Sequence, residues 1–179
     1  CAEEIYHLPL SLLRKVPGIT EEDIKAFQKS QKKWDVDKEW FSLMEKGIGF
    51  VCLEQEEFPE KVRHIPNPPY ALYYVGKLPC ETRKCVAIVG ARARSAYGSQ
   101  VAAELGKALA QNGIQVISGL ARGIDRDAHQ GAIDGNGETF AVLGNGVDIC
   151  YPKENKYLYQ TMIETGGVIS EYPPGTQPV

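Results

Sequence analysis

What the 179-residue sequence lacks narrows its function before any motif is read. Its five cysteines, Cys1, Cys52, Cys80, Cys85 and Cys150, form no C-x-x-C pair, and there are only three histidines. Such spacing builds neither a zinc site nor a disulfide framework, so no metal is expected. Cys80 and Cys85 could pair under oxidation, but reduced, partly buried thiols are the expected state. No apolar run approaches the ~20 residues of a membrane span. The opening "CAEEIYHLPL" has neither the basic start nor the long apolar stretch of a secretory signal. A cytoplasmic protein without a membrane partner is expected. There is also no internal repeat and no low-complexity tract.

What is present is globular. Apolar residues make up 43% and charged residues 24%, enough for one ordinary domain with an appendage. The net charge of −3 argues against a nucleic-acid partner until it is divided along the chain. Residues 1–60 carry 8 basic and 13 acidic side chains, whereas residues 77–126 carry 8 basic and 3 acidic. The basic excess surrounds the glycine-rich motifs. It reads either as a local anion site or as a solvated face.

Residues 5–45 read as helical. In "LLRKVPGITEEDIKAF" Pro17-Gly18 makes a turn, Thr20 caps the following helix, Asp23 sits at the capping-box position, and Ile24 and Phe27 share a face. This hairpin of helices either holds a DNA backbone at its turn or serves as a packing module. A domain boundary is placed near residue 46, giving a small helical domain, 1–46, and a second domain, 47–179. "GIGFVCL" and "ALYYV" read as strands joined by a proline-held extended connector with Pro59, Pro66, Pro68 and Pro69.

Beyond residue 84, apolar runs alternate with helical patterns. "VAIVG", "IQVISG", "FAVLG" and "GVIS" have the look of parallel strands buried on both faces. Helices are expected over 99–111, with Val101, Leu105, Ala108 and Leu109 on one side, and over 125–133 and 155–165. The fold class is α/β, a doubly wound, mainly parallel sheet, with ligands at the carboxyl ends of its strands.

Three glycine-bearing turns follow three of these strands. The first, "GARARSAYG", departs from the dinucleotide fingerprint G-x-G-x-x-G, so no nicotinamide cofactor is expected, nor any other. Gly90 opens this turn, and Arg92 and Arg94 at its mouth carry the planar donor fork that suits phosphate. The second, "SGLARGIDRDAH", runs from Ser118 through Gly119, Ala121, Arg122 and Gly123. Its small residues admit an anion to main-chain N–H groups at a helix N-terminus, where Asp125 is a cap. Asp125 and His129 lie four apart, either as an acid/base pair or as a structural pair ordering the loop. The third, "LGNGVDICYPKEN", offers Gly144, Gly146, Lys153 and Asn155, with Lys153 closing an anion site opposite Arg92. Tyr97 and Tyr151 either stack on bases or pack locally.

Together "IVGARARSAYG", "SGLARGIDRDAH", "AVLGNGVDICYPKEN" and "ISEYPPG" resemble, in order and spacing, the DNA-processing protein A family, also called DprA or Smf. The segment "FPEKVRHIPNPPYALYYVG" looks like the stretch that introduces that family's central domain. The resemblance implies an extended Rossmann-like domain behind a small helical one. It also implies a non-enzymatic protein that binds single-stranded DNA and hands it to the RecA recombinase in natural transformation. By resemblance Arg92 and Lys153 belong to a basic DNA pocket, and the loop from Ser118 to Gly123 takes backbone phosphates. Family members continue past "PPGTQPV" with an Arg-Asn-Arg element and further strands and helices, so the C-terminal part of the fold is expected to be missing here. RecA contact and a homodimer are implied for the longer protein. The rival is a nucleoside-phosphate enzyme of the lysine-decarboxylase-like phosphoribohydrolase type, whose G-G-x-G-T element does not occur in this sequence. A third reading is a scaffold for other proteins.

Overall fold

The computed structural model describes residues 6–178. The chain divides into two compact units, Cys1–Ser42 and Leu43–Val179. In the first, α1 (Leu10–Leu13) is followed by α2 (Glu21–Lys33). Gly18 takes a positive φ of 89° in the turn between them, which a side chain would resist. The Thr20 hydroxyl accepts from the Asp23 N–H, and the Asp23 carboxylate accepts from the Thr20 N–H at 2.8 Å, a reciprocal capping box. Ile24 is buried, and Phe27 meets Tyr6 edge-on. α3 covers Val36–Glu45.

The second unit is a six-stranded sheet. Its strands are β1 (Gly49–Cys52), β2 (Ala71–Gly76), β3 (Cys85–Ala87), β4 (Gln115–Ser118), β5 (Thr139–Val142) and β6 (Gly167–Ser170), in the order β1-β2-β6-β5-β4-β3. β3, β4, β5 and β6 are parallel, while β2 is antiparallel to both β1 and β6. This is an α/β fold with a mainly parallel sheet. The proline-rich connector is not extended throughout, because α4 (Glu60–Arg63) makes one turn immediately after Pro59.

Alternation along each strand sorts the core. Val116, Ala141 and Val168 face helices α5 (Ala96–Gln111), α6 (Ile124–Asp134) and α7 (Lys156–Thr165), whereas Phe140 and Ile169 face Val51, Phe58 and Leu72. Burial on both faces does not extend to every strand. β3 is one edge of the sheet, with Val86 36% exposed, and Val142 at the end of β5 is 53% exposed.

Helix α5 starts at Ala96, capped by Ser95, whose hydroxyl accepts from the Gly98 N–H at 3.1 Å. Its buried side differs from the one the sequence predicts. Ala102, Gly106 and Ala110 are enclosed, while Val101 and Leu105 are 40% and 46% exposed and Ala108 is also exposed. Size is the reason. α5 lies directly on α6, and a Cβ on Gly106 would overlap the Ala128 carbonyl oxygen, just as one on Gly131 would overlap that of Ala103. The seam selects small residues on both helices and leaves Val101 and Leu105 outside, while Leu109 is half-buried against the core around Val116. Replacing Gly131 by Val should therefore force the two helices apart and lower stability by about 2–4 kcal/mol, read as a fall in thermal midpoint, whereas Leu105→Gln should cost under about 1 kcal/mol.

Candidate functional site

The turns that follow β3, β4 and β5 open at the carboxyl ends of parallel strands, and they meet around a cavity of about 150 Å³. Arg92 comes from the first turn, Gly119, Ala121 and Arg122 from the second, and Leu143, Gly144, Asn145, Tyr151 and Pro152 from the third. Pro178 completes the wall. A larger groove of about 400 Å³ on the Ile117 and Ile169 side of the sheet has mainly aliphatic walls.

The first turn is held against the second by direct backbone approach. Gly123 adopts φ 84°, and a Cβ there would overlap the Ala91 carbonyl oxygen and lie 2.6 Å from that of Arg92. The Ile124 N–H donates to the Ala91 carbonyl at 3.3 Å. A Cβ on Gly90 would in turn stand 2.7 Å from the Ile124 side chain. These close fits bring Arg92 to the rim of the cavity.

The basic side chains divide into two pairs by their partners. Arg94 forms an ion pair with Asp127 of α6, so it braces the first turn instead of facing the cavity. Arg122 grips Glu154 with both ends of its fork, at 2.5 and 3.1 Å, and its guanidinium holds the Glu154 carboxyl below the usual carboxylate range. Both partners of that pair are exposed, and a surface pair of this kind is easily exchanged. Among the described residues, the side chains of Arg92 and Lys153 have neither an ion pair nor a hydrogen bond. Lys153 is exposed and follows Pro152 directly, but it does not itself line the cavity.

Residues 49–179 match the family model "DNA recombination-mediator protein A". The chain belongs to this family. It is 38% identical over 138 residues to the Smf protein of Synechocystis, a match covering 75% of this chain and 35% of that protein. The crystal structure of DNA processing protein A from Streptococcus pneumoniae superposes with a TM-score of 0.81 at 31% identity, over 97% of this chain and 59% of that one. A structure of DNA processing protein A from Helicobacter pylori, which concerns that protein's single-stranded DNA binding mode, gives 0.63 at 28% identity, over 74% of this chain and 59% of that one. The chain spans less than half the length of the curated relatives it matches.

Within this family fold, several of the residues expected at the ligand are engaged by partners inside the protein. Ser118 is buried and its hydroxyl donates to the Ile88 carbonyl at 2.6 Å, tying β4 to β3. Asp125 is not the helix cap. α6 begins at Ile124 behind Gly123 without a side-chain cap, and the Asp125 carboxylate accepts the Gly119 N–H at 3.1 Å. Two acidic residues, Asp125 and Asp127, already occupy the first turn of α6, which weakens that terminus as an anion cradle. Asp125 and His129 do not bond to each other, so the acid/base pair is not made. His129 is fully enclosed, its Nε2 accepting from the Leu120 N–H at 3.3 Å and its Nδ1 meeting the Thr139 hydroxyl at 2.7 Å. Asn155 is buried and donates to the Leu120 carbonyl at 2.8 Å. Gly146 packs beside Pro173 and Gly175. The structure thus gathers Arg92, Gly119, Ala121, Arg122 and Gly144 at the cavity, while Gly90, Arg94, Ser118, Gly123, Asp125, His129, Gly146 and Asn155 support its walls.

Sequence reading missed Leu143, Asn145, Pro152 and Pro178 as lining residues. Asn145 carried a usable signal, since an amide between two turn glycines has a structural task there. It donates to the carbonyls of Gly146 and Ile149 at 2.9 and 2.8 Å and folds the third turn on itself. Among the described residues no group of three or more His, Cys, Asp or Glu side chains could hold a metal ion, and no helix is long and apolar enough to cross a membrane. Cys52, Cys80, Cys85 and Cys150 are free thiols, and Cys1 lies outside the described residues.

Burial pushes the His129 imidazole down to about 3 from its ordinary 6.5. Between these values the unfolded chain binds a proton that the folded one does not, so stability falls as pH drops from about 6.5 toward about 3. The slope from this group approaches about 1.4 kcal/mol per pH unit. Chemical denaturation at pH 7, 6 and 5 should show the decline in the native chain. In His129→Leu the decline should flatten over the same interval, even though that variant starts from lower stability.

Proposed function

We propose that this chain binds single-stranded DNA through its phosphates, leaves base identity largely unread, and performs no catalytic step. The observation that carries this reading is the convergence of three side-chain-poor turns on one cavity, with Arg92 on the rim and Lys153 beside it, neither engaged by a carboxylate. Guanidinium and ammonium groups left unpaired at a concave site retain their full charge for an incoming anion. A polyanion also gains at Arg122 by displacing Glu154, because the exposed pair it breaks is weak. Membership of the recombination-mediator family, and the single-stranded DNA binding of the Helicobacter pylori relative, support a DNA strand as the polyanion. The exposed rings of Tyr97 and Tyr151 offer stacking faces that would accept any base. Transfer of the strand to RecA and self-association belong to the same reading and rest on the family resemblance alone.

Titration of a labelled oligothymidylate across a salt series tests this directly. Log affinity should fall linearly with log salt, with a slope of about −0.7 per phosphate neutralised. Arg92→Glu and Lys153→Glu should each weaken binding to all sequences alike and make the slope shallower by about 0.7 or more. Unchanged binding by both variants would remove these residues from the site.

Glu154→Gln gives an effect of opposite sign. Releasing Arg122 should strengthen oligonucleotide binding by up to about fivefold, with the gain fading at high salt. A weaker affinity in that variant would show that the pair orders the loop for binding, and an equal one would remove Arg122 from the site.

A further inference from the structure

The second turn owes its shape to a chain of side-chain hydrogen bonds that begins inside the sheet. The Thr139 hydroxyl donates to the Val116 carbonyl at 2.8 Å, which uses its only hydrogen. Its contact with His129 at 2.7 Å must then be an acceptance from the Nδ1–H. That fixes the tautomer, leaves Nε2 bare, and makes Nε2 the acceptor for the Leu120 N–H. Leu120 is itself unusual, a fully buried leucine at φ 57°, a conformation that favours glycine. Its carbonyl is taken by Asn155 at 2.8 Å, and the N–H before it, that of Gly119, is taken by Asp125 at 3.1 Å. Three polar groups of the Gly119–Leu120 backbone are therefore held by side chains from three positions. The next two N–H groups, of Ala121 and Arg122, have no protein acceptor among the described residues, and both residues line the cavity.

We infer that His129 is a positioning residue for the ligand: as a neutral Nδ1–H imidazole braced by Thr139, it locks Leu120 in its left-handed conformation and so presents the Ala121 and Arg122 N–H groups as fixed donors to a backbone phosphate. The inference rests on the reading of the cavity as a phosphate-backbone site. It assigns the histidine a role in affinity that requires no contact with DNA. It also explains why the bond reaches back to Thr139 in mid-sheet. A ring free to turn or to change tautomer would present a second N–H to the Leu120 N–H and release the loop.

The test uses the whole chain, labelled oligothymidylate, and the variants His129→Leu, Thr139→Val, Thr139→Ser and Arg92→Glu, each assayed well below its own thermal midpoint. His129→Leu and Thr139→Val should weaken binding about tenfold at every salt concentration and leave the salt slope unchanged, since a neutral donor is lost and no cation. Thr139→Ser should bind as the native chain does, because it keeps the hydroxyl. A residue with a merely structural role would lower the midpoint and leave the affinity of the folded protein alone. If His129→Leu and Thr139→Val bound normally while Arg92→Glu did not, the inference would be overturned and the phosphate reading would stand. If the native chain failed to bind the oligonucleotide, that reading would fall, and the lock would be judged without DNA by hydrogen exchange at Leu120. Slow exchange that His129→Leu makes fast supports it, and fast exchange in the native chain overturns it.

Discussion

At Gly123 two stretches of backbone lie closer than any side chain would permit, and the arrangement of the cavity depends on that approach. With φ at 84° and no Cβ, the residue lets the second turn rest on the carbonyls of Ala91 and Arg92. The Ile124 N–H then binds the first turn, and the Arg94 pair with Asp127 secures it from the far side. Arg92 reaches the rim because its own backbone is pinned there. The same device operates deeper in the fold, where Gly106 and Gly131 let α5 and α6 come together.

Charge is arranged by a second rule, that carboxylates consume some cations and spare others. Arg94 and Arg122 are the conspicuous arginines of the two turns, yet each has a resident partner. The pair at Arg94 is largely sheltered and serves architecture; the pair at Arg122 is open to solvent and remains exchangeable. This is how a chain of net charge −3 can still offer positive potential at one edge of a sheet.

Much of this was legible in the sequence. The six strands, the capping box at Thr20 and Asp23, and the succession of glycine turns at strand ends follow from local chemistry, which a single sequence records faithfully. The buried face of α5 did not follow, because hydropathy ranks Val101 and Leu105 above Ala102 and Gly106, whereas the contact with α6 ranks residues by smallness. The roles of Asp125 and His129 were hidden for a related reason. Their spacing of four residues permits a mutual bond, but Gly119, Leu120 and Thr139 compete for the same atoms from positions that only the folded chain brings near. Likewise nothing local to Arg122 announces Glu154, which lies 32 residues away.

That last pair also bears on selectivity. Glu154 is a tethered competitor, held beside Arg122 by the fold itself. An isolated inorganic anion arriving there would swap one exposed oxyanion for another and gain little. On the proposed phosphate-backbone reading, a polymer already anchored at a neighbouring point would meet that exchange as an intramolecular step, so the rim would favour multivalent ligands over single ions.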